Sequence, residues 1–569
     1  MKNVKNIFGM AVMATALVGC SSNDNLNPNA NEGAGKAGEA YASFKINLPT
    51  TSGTRAAGDP TFEKGDKNEY AVNDATLLLF QKNADGDFVF KEFVDLGNME
   101  PWTSSSTSGI TTTAKLTAKI TKAEVGSNKG YYALIVLNNN SKTAPKITYP
   151  AVDQTYADWS QKEANATANY LKYDNGFFMA NAPKYVAGAP ETLVEIKNIY
   201  ASKQQAENST ATTVYVERGL AKVSLASSSA EHVDIADGNY AGDKVDITGW
   251  TLDVTNTKTY PVHVTEGLWA DTWKTTVTPA ATNGASMDRF HDTKLTEFPR
   301  VYWGLDPNYS TDFATVEACN GEFKMASKGD FKTGKEAKKA QYCLENTFDI
   351  NHMVQGQTTR VLFSAKYTPD NFADGETFYK FGNSPKLWHA ADVVAQIKAK
   401  AQEVLGEADA DKVTVTLAAE GNDMTKSGVR LVAAANITHT GGTALKEEQV
   451  KKINAKLGLK EATATDAAVG LSTFESGVSY YIARVKHFNA LTPWKPGDLT
   501  YDKNNANWLG RYGVLRNNWY ELSVSSVSGP GYPDIPKVNP TDPDDENKQF
   551  INVEVKILDW AMRKQVIEL

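Results

Sequence analysis

Cysteine is scarce in this chain, with three in 569 residues. That excludes a disulfide-dense scaffold. Cys319 and Cys343 have no CxxC neighbour, and the sequence leaves open whether they pair in an oxidising compartment or stay as buried thiols. The seven histidines are scattered, with no HExxH spacing that would put two ligands on one helical face, so neither a metal site nor metal catalysis is expected. Positive charge is not in excess: 59 basic residues stand against 67 acidic ones for a net charge of -8. With no basic stripe, nucleic acid is not an expected partner. Beyond the N-terminus no apolar run approaches the roughly 18 to 20 residues of a membrane-spanning helix. No GxSxG elbow occurs, residues 329–336 (GDFKTGKE) put Glu336 where a phosphate-binding loop needs Ser or Thr, and Asp85-Gly86-Asp87 lacks the spacing of a calcium loop. No catalytic residue, enzyme activity or cofactor is therefore expected.

What is present is an ordinary folded composition, 41% hydrophobic and 22% charged, with 41 glycines and 21 prolines. The length suggests about two to four domains.

Lys2 and Lys5 precede an apolar stretch from Ile7 to Val18, about a dozen residues, the length of a signal-peptide core. The stretch closes on Leu17-Val18-Gly19-Cys20, which has the form of a bacterial lipobox. Residues 1–19 are then the signal peptide. Cys20 becomes the mature N-terminus, carrying diacylglycerol on its thiol and an N-acyl chain, and these lipids are the expected anchor in the outer membrane. Residues 21–40 are rich in Asn, Gly and Ala and read as a flexible tether.

Ala42, Phe44, Ile46 and Leu48 then alternate with Ser43, Lys45 and Asn47, the period of a half-buried strand with its polar residues to solvent. Pro49 stops it, and the small, polar segment that follows puts Arg55 and Ala56 on an exposed loop. Ala75–Phe80 and 87–94 flank a turn ending in Asp85-Gly86, a hairpin signal. Tyr131–Leu137 (YYALIVL) is a continuous apolar run, as in a central strand buried on both faces. Strands with such turn punctuation favour a β-sandwich.

A second block of strands starts near Val214 and carries two helical inserts. Val393, Val394, Ile397, Val404 and Leu405 recur at helical spacing, as do Leu445, Val450, Ile453 and Leu457. Residues 529–547 hold five prolines and five acidic residues and read as an extended, semi-rigid linker without a core. Beyond it Ile551, Val553, Val555 and Ile557 alternate with Asn552, Glu554 and Lys556, a well-patterned last strand.

The two ends form a pair. A cut after Arg55 would free the Ala42/Phe44/Ile46/Leu48 strand to leave, exposing an apolar groove with unpaired edges that an incoming strand could fill. Burying Ile551, Val553, Val555 and Ile557 there contributes roughly 6 to 12 kcal/mol against an ordering cost of about 1 to 2 kcal/mol per residue. Main-chain pairing with a preformed groove tips the balance.

The lipobox ending at Cys20, SFKINLPTTSGTRAAGD, YYALIVLNN, VYVERGLAKV, GVLRNNWYELSV and the terminus INVEVKILDW, in this order, resemble the fimbrillins of Bacteroides-type bacteria. These are the subunits of type V pili, and the nearest likeness is to the major shaft subunits of the short, minor fimbriae. The resemblance implies a mainly β fold of two tandem transthyretin-like β-sandwich domains with helical insertions in the second, an N-terminal propeptide strand and a C-terminal donor strand. It implies export as a lipoprotein precursor, cleavage between Arg55 and Ala56 by an arginine-specific protease, and polymerisation by donor-strand exchange. The implied partners are identical neighbouring subunits, anchor and tip fimbrial proteins, and receptors on host or bacterial surfaces, with roles in adhesion and biofilm formation.

The expected layout is therefore propeptide 20–55, N-terminal sandwich 56–210, C-terminal sandwich 211–528, linker 529–548 and donor strand 549–569. The competing expectation is a monomeric surface lipoprotein that stacks glycans on Trp269, Trp273, Trp303 or Trp388, or an accessory or tip component of the same fimbriae.

Overall fold

The computed structural model describes residues 39–49, 67–99, 103–104, 110–140, 144–162, 164–165, 170–174, 176–186, 189–266, 290, 298–349, 351–463, 468–487, 509–544 and 551–558. The chain is mainly β, and no helix among the described residues is long and apolar enough to cross a membrane.

The first unit is built on β1 (Ala40–Pro49), β2 (Ala75–Lys82), β3 (Phe88–Gly97), β4 (Ile110–Ile120), β5 (Tyr131–Leu137), β6 (Met179–Asn181) and β7 (Thr212–Arg218). They run in the order β3-β2-β5-β6-β7-β1-β4. The β2–β3 hairpin turns as its sequence requires. Asn83 Oδ1 accepts from the backbone N–H of Asp85 at 3.0 Å and of Asp87 at 2.8 Å, while Gly86 supplies a φ of 96°. β7 joins the two halves of the sheet, since Thr212–Tyr215 pair with β1 and Val216–Arg218 with β6. Phe44, Ile46 and Leu48 of β1 thereby share one apolar cluster with Leu77 and Leu79 of β2 and Ile135 and Leu137 of β5. The other face of β2 and β5, with Leu78, Phe80, Leu134 and Val136, packs on Trp159, Tyr170 and Phe178. This is why Tyr131–Leu137 is apolar without alternation: both of its faces are interior.

The second unit is a sandwich. One sheet runs β10 (Gln341–Leu344), β8 (Leu220–Leu225), β13 (Trp519–Val527) and β14 (Ile551–Leu558). The other runs from the short strand His232–Asp234 through β9 (Lys244–Asp253) and β11 (Arg360–Thr368) to β12 (Val478–Arg484). Val223, Tyr520, Leu522 and Val524 from the first sheet meet Trp250, Phe363, Tyr481 and Ala483 from the second in one core, the face-to-face packing of a β-sandwich. Between β11 and β12 lies an insertion with a core of its own. In it α2 (Ala390–Leu405) and α3 (Glu447–Lys456) place Val393, Ile397 and Ile453 against Phe381, Val413 and Leu471. Gly406, at φ 66°, closes α2 in the left-handed conformation.

Three sequence expectations are corrected. The border between units falls at Gly219 rather than before residue 211, because Thr212–Arg218 belong to the first sheet and Leu220–Leu225 to the second. Glycine is required there by close approach, since a Cβ would stand 2.3 Å from Tyr170 Oη. Ser43 and Asn47, expected at the solvent face of β1, are buried because α1 (Lys203–Asn208) covers that face and Thr113 meets Asn47. Residues 529–544, read as a linker without a core, lie along the second unit and bury Val538 and Asp544. Their prolines remove N–H donors, which rules out a regular ladder but not burial.

Because the insertion has a separate core, Ile397→Ala is expected to cost about 2 to 5 kcal/mol locally. Hydrogen exchange should accelerate across residues 378–471 while β11 and β12 keep their protection, and uniform loss in both sandwiches would refute the independence of this core.

Candidate functional site

β1 is an interior strand. It pairs antiparallel with β4 from Ala40 opposite Ile120 to Pro49 opposite Ile110, and parallel with β7 from Phe44 opposite Thr212 to Asn47 opposite Tyr215. Tyr41 and Tyr200 exchange two further backbone bonds of 2.8 Å. Ala42, Phe44, Ile46 and Leu48, the residues expected to leave, are at most 1% exposed. On the opposite face Ser43 Oγ donates to the Ala206 carbonyl at 2.7 Å, Thr113 Oγ1 donates to Asn47 Oδ1 at 2.7 Å, and Lys45 is exposed. Withdrawing β1 would leave an apolar trough walled by two strands with unpaired backbone groups, and only a strand of the same period can refill it.

β14 occupies the contrasting position, at the end of its sheet and paired with β13 alone. Ile551 stands opposite Val527, Val553 opposite Val524, Val555 opposite Leu522 and Ile557 opposite Tyr520, all four partners being buried in the second core. The structure does not bring β1 and β14 together: one belongs to the first sheet and the other to the second. Cys20, Arg55 and Ala56 lie outside the described residues, as do Trp269 and Trp273. Trp303 is buried between Phe290 and Phe348, and Trp388 packs on Phe381 under the ammonium of Lys386. Neither offers a free sugar platform. Cys319 and Cys343 are both buried free thiols, Cys343 being pushed up to about 12 by burial. No group of three metal-ligating side chains occurs among the described residues.

Where the two units meet, charge is buried. Glu69, in the helical turn Lys67–Glu69, pairs with Lys222 Nζ at 2.8 Å and accepts from Tyr342 Oη at 2.6 Å, while Arg218 Nε donates to its carbonyl at 2.8 Å. Arg218 Nη1 also donates to Asn517 Oδ1 at 3.0 Å, and Asn517, held at φ 58°, donates its own N–H to the Leu220 carbonyl at 2.7 Å. Glu217 meets His263 Nδ1 at 2.7 Å and Arg300 Nη2 at 3.2 Å, and Arg516 Nε donates to Glu345 at 3.2 Å. Burial raises the carboxyl pKa values of Glu69 and Glu217, but the cations beside them outweigh it and hold both below the usual carboxylate range. Arg218, with less compensation, is lowered by burial to about 10.

Glu217, Arg218, Arg516 and Asn517 have a signal in the sequence, as charged or polar residues set against apolar strand patterns. Glu69, His263, Arg300 and Glu345 have none, since no local periodicity marks them.

Residues 472–566 match the family model described as Major fimbrial subunit protein type IV, Fimbrillin, C-terminal. The C-terminal region is fimbrillin-like. The fimbrillin-like region spans β12, β13 and β14, and thus includes the edge strand and the strand that holds it. No curated protein sequence matches the chain. Among solved structures, a protein described as a cell adhesion protein from Parabacteroides distasonis is 10% identical, covering 92% of this chain and 98% of its own at a TM-score of 0.35. A fimbrilin from Porphyromonas gingivalis is 12% identical over 92% of this chain and 99% of its own at a TM-score of 0.34. Likenesses this distant carry no functional weight.

Glu69→Gln is expected to destabilise the chain by about 3 to 5 kcal/mol at pH 7, because it leaves the Lys222 ammonium buried without its counter-charge. Glu69 and Glu217 have folded pKa values depressed from 4.5. The stability they contribute is present above about 4.5 and lost as pH falls through the lower folded values. Thermal melts at pH 7 and pH 3.5 should show a large drop for the natural chain and a smaller one for Glu69→Gln; equal drops would remove Glu69 from the acid response.

Proposed function

We propose that the chain is a structural subunit of a cell-surface fimbrium, the shaft of a type V pilus. It is exported as a lipoprotein acylated on Cys20, activated by an arginine-specific protease cutting between Arg55 and Ala56, and polymerised with identical subunits by donor-strand exchange. The fimbrillin-like C-terminal region supports a fimbrial role. The observation that carries the mechanism is the pairing of positions: β1, an apolar interior strand, ends at Pro49, six residues before Arg55, while a strand of the same alternation lies on a sheet edge at the other end of the chain. A cut in the segment after β1 severs its only forward covalent tie, and β1 can then leave with the lipid while Glu69 keeps the new N-terminal segment clamped at the junction. A copy of residues 551–558 from a neighbouring subunit has the period needed to replace it. Anchor and tip components, adhesion to surface receptors and biofilm formation follow from the same family reading.

The purified precursor treated with an arginine-specific protease is expected to yield Ala56 as its new N-terminus and a ladder of high-mass species on an unboiled denaturing gel. Arg55→Ala should stay monomeric under the same treatment. A ladder from uncleaved Arg55→Ala would refute activation by cleavage, and resistance at Arg55 in the natural chain would favour a monomeric surface lipoprotein.

A cleaved chain lacking residues 549–569 should accept a donor strand but give no long homopolymer. Long homopolymers from it would refute the assignment of the last strand.

A further inference from the structure

The segment before β14 is fastened to its own subunit at several points. Tyr532 and Tyr480 exchange two backbone bonds of 2.9 Å, and Arg360 Nη2 donates to the Pro536 carbonyl at 2.5 Å. Val538 is buried in a cluster with Val254, Phe313 and Cys319. Pro540 sits on Gly356 so closely that a Cβ there would stand 2.9 Å from Pro540 Cα. Gln355 N donates to the Asp542 carbonyl at 2.9 Å, Asp544 N donates to the Met353 carbonyl at 3.1 Å, and the buried Asp544 carboxylate pairs with buried Arg511 at 3.3 Å. The backbone of β14 is paired in its sheet by a single ladder, on the β13 side.

We infer that residues 529–544 are a strap that stays on its own subunit during strand exchange, so that 545–550 alone bridge from Asp544 to the neighbouring copy. The inference rests on the strand-exchange reading above and adds where the moving part begins. Detaching the strap would break the buried Asp544–Arg511 ion pair and open the Val538 cluster to water, whereas the backbone pairing of β14 is one edge ladder. The strap is also a poor donor, because its prolines at 530, 533, 536, 540 and 543 lack the N–H groups that a ladder needs. From Asp544 to Ile551 the chain takes seven steps and extends about 25 Å at most. The β1 groove of the next copy therefore opens within about 25 Å of Asp544, and the face bearing Met353–Gly356 and Arg511 lies beside the contact between copies.

Two cysteine pairs test this. The bonds from Gln355 and Asp544 flank Val354 and Pro543, which form an isolated antiparallel bridge, the close pair geometry that a disulfide fits. Val354→Cys with Pro543→Cys locks the strap, and Val524→Cys with Val553→Cys, opposed in the β13–β14 ladder, locks the last strand at home. Each is cleaved at Arg55 and compared oxidised and reduced on unboiled gels, the reduced form serving as its own folding control. The strap lock is expected to give the same ladder in both states, and the strand lock a ladder only when reduced. A strap-locked protein that polymerises only when reduced overturns the inference and leaves strand exchange standing. A strand-locked protein that polymerises when oxidised overturns strand exchange, and this inference with it, as does the absence of any ladder from the natural chain.

Discussion

The buried charges between the two units are the constraint on which the arrangement of the rest depends. An ion removed from water is tolerated only beside its partner, so Glu69 with Lys222, Glu217 with Arg300, and Glu345 with Arg516 must each be brought together, with Arg218 on Asn517 beside them. These residues come from separate stretches of the chain, some of them hundreds of positions apart, and apolar contact alone would accept several registers among them. Fixed donors and acceptors accept one. The junction thus sets how β7 enters the first sheet and how β8 leaves into the second, and through β7 it sets one wall of the trough that holds β1.

The contrast between β1 and β14 follows from that frame. Both alternate aliphatic and polar residues, yet β1 is walled on two sides and roofed by α1, while β14 closes one edge of its sheet. An interior strand is difficult to remove while the chain is continuous, because it is paired along one side by β4 and over Phe44–Asn47 on the other by β7. An edge strand is less constrained by its surroundings. Within one chain, equivalent patterns therefore sit in unequal settings, one paired on both sides and one on a sheet edge.

Much of this was legible in the sequence wherever the physical cause was local. The alternation in residues 41–48 and 551–557, the unbroken run at Tyr131–Leu137, the Asp85-Gly86 turn and the helical spacing around Ile397 and Ile453 each report a short-range geometry, and each element is found. What was not legible depends on distant contacts. In VYVERGLAKV the lone glycine signals a bulge or a close backbone approach, but nothing local says that the strand changes sheets at Gly219. The polar face of β1 reads as solvated because α1, which covers Ser43, lies some 160 residues away. Proline and aspartate in 529–544 correctly announce the lack of a ladder, but composition says nothing about the hydrophobic seat that Val538 finds beside Cys319. The acid at position 69 is surrounded by other charged residues in sequence and is distinguished only by what folds around it.

The single-residue passage at Gly219 has a mechanical consequence. Flexible multidomain chains absorb tension first by straightening the slack between domains, but one residue supplies at most about 3.6 Å of extension. A pull applied along the molecule is therefore transmitted from β7 directly into β8 by covalent backbone, with the surrounding ion pairs resisting any hinge. The passage from the first unit to the second thus contributes almost no extensible slack of its own.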